Sequence, residues 1–151
     1  MENKAENNKL IARFMGFESA PFENKGGKGF SVTLIGMPKD NCTGSYSLSC
    51  YGDLEYNIEK VLRQNFKYDK CWNWLMPVVE KIGKDYVIEI MTTPTISGKW
   101  VMHKVTIETP SWKENVIVEL GSDYDNNESK ISITYKGVIE FIKWYNENNL
   151  N

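Results

Sequence analysis

Two of the five tryptophans stand two residues apart in YDKCWNWLMPVVEKIG, Tyr68 to Gly83. Aromatic faces suit bases and sugars, so Trp72 and Trp74 pose a choice between core and ligand wall. On a helix turning about 100° per residue, Trp72, Leu75, Met76, Val79 and Ile82 share one face. That assigns Trp72 to the core and sends Trp74 off the stripe, beside Cys71 and Val78. Trp144, near the C-terminus, lies off its own helix seam, on a side shared with Ile133 and Gly137. Two readings follow. Either the two helices lie side by side on a sheet and bury both rings, with Gly137 allowing close approach, or Trp74 and Trp144 wall a site for a planar ligand. TPTISGKW (Thr93 to Trp100) reads as a polar hairpin loop ending in Lys99 and Trp100. A cation and a ring there would suit a phosphate-bearing aromatic ligand, and a solvated hairpin is the plain alternative. GGKG (Gly26 to Gly29) lacks the G-x-x-x-x-G-K-[ST] pattern of a phosphate loop. Hairpin punctuation explains it, although backbone amides with Lys25 or Lys28 could cradle an anion.

His103 is the sole histidine. Alternation places it with Val101, Val105 and Ile107 on the more apolar strand face, where a satisfied core or edge histidine is the expected role. Mechanisms and metal sites that need two or more histidines are excluded. The three cysteines, Cys42, Cys50 and Cys71, have no C-x-x-C spacing and make a poor zinc set. DYDNNES (Asp123 to Ser129) opens like a calcium loop but lacks the glycine at its sixth position and has Thr134 where the bidentate Glu belongs. No Ser/His/Asp set, paired-carboxylate motif, metal site or cofactor fingerprint emerges. A non-enzyme is the favoured reading, with turnover left open because carboxylates that meet only in space leave no spacing.

A chain of 151 residues with 41% hydrophobic and 13% aromatic content can build a real core as one domain over residues 1–151. Formal charge is −2, and no run of like charge marks a surface for duplex nucleic acid or anionic lipid. No apolar run reaches signal-peptide or membrane-span length, so a cytoplasmic protein with reduced thiols is expected.

The elements that must position these residues follow from periodicity. A first helix is predicted from Asn7 to Met15, with Leu10, Ile11 and Phe14 on one side and Gly16 at a left-handed cap. Lys25 to Gly29 is a loop, then FSVTLIG alternates as a strand, and Phe30 to Tyr51 forms a long-looped hairpin. DLEYNIEKVLRQ reads as a helix capped by Asp53. The opening stretch is a helix capped by Asp69, kinked at Pro77 and stopped by Gly83. Strands are expected at Tyr86 to Thr92, Trp100 to Glu108 and Asn115 to Leu120. A last helix begins near Asp125, whose spacing to Glu128 suits a capping box, and carries the seam Ile131, Tyr135, Val138, Ile142 and Tyr145. The expected fold class is α+β: an antiparallel sheet of about four to five strands packed with three to four helices, including a C-terminal helix.

Three blocks, NKLIARFMGF, WNWLMPVVEKI and VIEFIKWYN, resemble a group of small proteins of bacterial genomes and their phages that carry them in the same order. More loosely, the layout is similar to phage domain families described as an α/β/α sandwich. The blocks cover about a fifth of the chain. Asn73 stands where the group has an acidic residue. The resemblance implies a phage or prophage accessory protein, acting in the host cytosol, and brings no catalytic residues. The expectation is therefore a non-enzymatic binding protein, in its most specific form a counter-defence protein sequestering a nucleotide-type immune signal. Its candidate ligand-binding residues are Trp74, Lys99, Trp100, Lys28 and Trp144. The alternatives are an interaction module that binds a host protein or itself as a homo-oligomer, and a small nucleotide-processing enzyme.

Overall fold

The computed structural model describes residues 3–16, 18–24, 27–33, 46–48, 66–94, 101–110, 115–122 and 128–149. The chain forms two compact units, Met1–Lys67 and Tyr68–Asn151.

In the first unit, α1 spans Lys4–Phe14, beginning three residues before the predicted start. Asn3 is its N-cap, and its side-chain oxygen accepts from the Ala5 N–H at 3.2 Å, satisfying one orphan donor of the first turn. The helix ends as expected at Gly16, whose φ of 87° is the left-handed conformation glycine adopts without a Cβ penalty. Its buried residues include Ala5, Asn8, Ile11 and Ala12. Leu10 and Phe14, assigned to the buried side from sequence, are only half-buried. Three strands follow: β1 (Glu18–Asn24), β2 (Gly27–Thr33) and β3 (Tyr46–Leu48), in the order β1-β2-β3. The long-looped hairpin is present, with Phe30 opposite Leu48 and Val32 opposite Tyr46. β1 was not anticipated, because ESAPFEN carries a proline and two carboxylates. Pro21 is tolerable there, since β1 is an edge strand of the described sheet. The predicted loop Lys25 to Gly29 is corrected too: Gly27, Lys28 and Gly29 belong to β2. The helix predicted from Asp53 lies outside the described residues.

The second unit contains α2 (Trp72–Ile82), β4 (Val87–Pro94), β5 (Val101–Glu108), β6 (Val116–Gly121) and α3 (Lys130–Asn149). All three predicted strands are present and form an antiparallel sheet ordered β4-β5-β6. The α+β class with a C-terminal helix holds. The single sheet of four to five strands does not, because the described strands divide into two sheets of three.

Both helices of this unit cover the same sheet face. Val105 and Ile107 of β5 point toward them and are fully buried, with Leu75, Val78, Ile82, Val138, Ile139, Phe141 and Ile142 from the helices. α3 packs over β5 and β6, and α2 lies beside α3 and the start of β4. Gly137 sets the first contact. A Cβ at that position would lie 2.5 Å from Val105 Cγ1. Gly137 therefore admits a strand of the sheet, not the neighbouring helix that its sequence position suggested.

Two helix starts also differ from expectation. α2 has Cys71 rather than Asp69 as its N-cap, and the Cys71 carbonyl accepts from the N–H groups of Trp74 and Leu75 at 3.0 and 3.1 Å. α3 starts at Lys130, with Ser129 rather than Asp125 in the capping position. The Ser129 hydroxyl accepts from the Ser132 N–H at 3.3 Å, the geometry of an N-cap reaching its third helical residue. Glu128 pairs with Lys136 at 2.5 Å. The β-branched first turn is helical, and Thr134 donates its hydroxyl back to the Lys130 carbonyl at 2.8 Å.

Val105 is buried and β-branched, so it has little room to give. Gly137→Ala should therefore lower stability by about 1–3 kcal/mol, read by denaturant unfolding. Adding Val105→Ala should return the α3–β5 spacing, at the separate cost of lost burial, so the pair should be clearly less destabilising than the sum of the two single changes.

Candidate functional site

The burial of Trp74 agrees with the first of the two readings, whereas Trp72 does not take the core place assigned to it from periodicity. Trp74 is buried, 5% exposed, within a stripe of Trp74, Leu75, Val78, Val79 and Ile82. Trp72 is half-buried and Met76 is exposed. The apolar arc of α2 is wide enough for two overlapping stripes, and the chain before the helix decides between them. Tyr68, itself buried, meets Trp74 edge to face with ring centroids 5.3 Å apart, an arrangement that aromatic quadrupoles favour. Pro77 sits within the helix, and Asn73, whose carbonyl Pro77 cannot reach, is exposed to water.

Trp144 joins a different cluster. Tyr86, in the turn between α2 and β4, meets Phe141 at 4.8 Å, Trp144 at 6.0 Å and Tyr145 at 6.4 Å, all edge to face. Phe141 is the buried root, and the other three rings are half-buried. Burial, then the neighbouring Tyr145 phenol and the Asp85 carboxylate, push the Tyr86 phenol above its usual range, and a side-chain hydrogen bond with Asn149 pulls it back. The cluster offers ring edges and one partly open indole at the C-terminal half of α3.

Of the remaining candidates, Lys28 stands in β2 of the N-terminal unit, in register with Glu23, rather than in an anion-cradling loop. Lys99, Trp100, Cys42, Cys50 and the core of the calcium-like loop lie outside the described residues. Among the described candidates of the C-terminal unit, Trp74 and Trp144 belong to separate ring clusters. His103 is half-buried on the helix-bearing face, with its Nδ1 3.1 Å from Thr92 Oγ1. Its backbone N–H donates to Ser122 Oγ at 2.9 Å, and its carbonyl accepts from the Ser122 N–H at 2.8 Å. The arrangement ties the start of β5 to both neighbours. Among the described residues, no group of three or more His, Cys, Asp or Glu is placed to hold a metal ion. Nor is any described helix long and apolar enough to cross a membrane.

What sequence reading missed is the other sheet face. Strand register places Val87, Glu89, Met91 and Thr93 on it with their β5 partners Glu108, Thr106, Lys104 and Met102. Glu119 lies opposite Thr106 and Val116 opposite Glu108. Among the described residues neither helix covers this face, although Thr106 at its centre is buried. Val87 is 43%, Met91 42% and Val116 47% exposed. Lys104 is held by Glu119 across the strands at 2.5 Å, which leaves Glu89 and Glu108 to give the face a negative balance. The signal was present as alternation in VIEIMTT and VMHKVTIE, and the helices take the face of Val105 and Ile107, the more apolar one expected from sequence.

No family model, curated protein or solved structure matches the chain.

Burial pushes the Tyr68 phenol well above its ordinary value of about 10. The folded state thus holds this proton more tightly than the unfolded chain does. That stability is full below about pH 10 and drains away as pH rises beyond it. Denaturant unfolding between neutral pH and about pH 11 should show a falling stability, and Tyr68→Phe should flatten the fall.

Proposed function

We propose that the chain is a non-enzymatic binding protein whose C-terminal unit engages a protein partner across the open face of β4-β5-β6. The observation that carries this reading is the exposure of Val87, Met91 and Val116 on a sheet face opposite the one the helices fill. Exposed apolar residues in a polar frame suit a protein interface better than solvent. Glu89 and Glu108 define the partner's chemistry: an apolar patch rimmed by lysine or arginine. The biological setting, a phage or prophage accessory protein acting on a host protein, rests on the resemblance of the three sequence blocks. Affinity capture from host lysate with the wild type and with Val116→Lys tests the reading. A protein held by the wild type, released as salt rises, and weakened about tenfold or more by the variant is the expected result. Equal capture by both chains sinks it.

A second reading has its own observation, the three half-buried rings Tyr86, Trp144 and Tyr145. They favour a small planar ligand, of which a nucleotide-type immune signal is the specific form, bound without turnover. Cyclic and ADP-ribose-type nucleotides should raise the melting temperature of the wild type and leave Trp144→Ala unshifted relative to its own baseline. No shift with any of them would remove this reading.

A further inference from the structure

β4 is an edge among the described strands, and its backbone pattern fits one partner better than others. Ser122 donates its N–H to the His103 carbonyl, so the backbone polar groups of His103 face β6. Along a strand these groups alternate in direction. Those of Met102, Lys104 and Thr106 therefore face β4, and their register partners Thr93, Met91 and Glu89 turn theirs inward to meet them. The N–H and C=O groups of Ile88, Ile90 and Thr92 then point out of the sheet. Pro94 follows in the same phase but has no N–H to give.

Most sheet edges are protected by lysines, prolines, bulges or brevity. β6, the other edge among the described strands, carries a register irregularity where it meets Ile107 and Glu108. β4 pairs with β5 over eight residues without a break, holds one charge, Glu89, and has its only proline at the last position. Its outward triplet is symmetric about Ile90.

We propose that two copies of the chain pair antiparallel through β4, around a two-fold axis at Ile90. Ile90 then lies opposite its counterpart, and Ile88 lies opposite Thr92 of the second copy. All three outward N–H groups of each copy find a carbonyl, and none meets Pro94. A register centred on Met91 would instead set Ile88 against Pro94 and lose a donor at each end. An odd shift would turn the helix-bearing face of one copy to the opposite side. On the helix side, Ile88 and Ile90 are only half-buried in one copy, and the pairing brings these β-branched residues against one another. On the open side, Glu89 lies opposite Met91 of the second copy, so no like charges stand directly across the axis. The product is a continuous six-stranded sheet with α2 and α3 of both copies on one face, a closed C2 assembly.

Light scattering with size exclusion, and sedimentation across a dilution series, test the pairing. The wild type should be a dimer. Thr92→Pro removes one outward donor per copy while leaving the β4–β5 ladder intact, and should weaken the dimer about tenfold with unchanged circular dichroism. Met91→Glu sets a carboxylate opposite Glu89 at both symmetry-related positions and should dissociate the dimer. Adding Glu89→Lys to Met91→Glu places opposite charges there and should restore it. A wild type that stays monomeric at its highest soluble concentration overturns the proposal. A folded Thr92→Pro that dimerises as well as the wild type does so too, as does a double variant no more dimeric than Met91→Glu alone. This pairing uses the edge rather than the open face. Val116→Lys should therefore keep the dimer whatever it does to partner capture, and Thr92→Pro should keep the open face.

Discussion

Everything in the C-terminal unit is arranged around the place where α3 meets the Val105 side chain of β5 with no side chain of its own between them. Gly137 brings the helix backbone down onto Val105, and any larger residue would hold it away. From that contact α3 buries a broad arc, Ile133, Tyr135, Val138, Ile139, Phe141 and Ile142, against β5 and β6. α2 takes the remaining space over the start of β4 and contributes Leu75, Val78 and Ile82. Helix-to-sheet distance, the depth of the core and the covering of one face alone are consequences of the same close approach.

Placing the helices on one face leaves the other to solvent or to a partner, since an antiparallel sheet can be wet on one side. It also explains where the surplus aromatics go. Tyr68 and Trp74 close one end of the helical layer, and Tyr86, Phe141, Trp144 and Tyr145 close another. Rings at such margins bury a large area with few rotatable bonds, so they seal a thin two-layer unit effectively. Stacking walls and layer seals draw on the same residues. Only their packing tells them apart, and Trp74 is sealed more deeply than Trp144.

Where local chemistry controls a boundary, the sequence could be read. Gly16 ends α1 because only a residue without Cβ takes its positive φ readily, and the strands from Val87 to Gly121 announce themselves by alternation. The misreadings share a cause. Trp72 and Trp74 both sit on a plausible stripe of α2, and the choice between them is made by Tyr68, four residues before the helix and invisible to helical periodicity. Ser129 displaces Asp125 as the cap of α3, although both are good capping residues, because the buried arc beginning at Ile133 sets where the helix must start. β1 escaped notice because an edge strand can carry Pro21 and carboxylates that a central strand could not.

The candidate residues divide along the same line. By itself the sequence determined the α+β class, the three C-terminal strands, the terminal helix and the absence of a recognisable catalytic motif, since each is written in spacing over a few residues. Tertiary structure alone decided that Trp74 rather than Trp72 is the more deeply buried ring of α2, that Lys28 sits in a strand of the other unit, and that Gly137 faces a strand. Those outcomes depend on which of two chemically similar faces meets a distant element. That choice is a difference in packing energy between whole layers, and no short window of residues contains it.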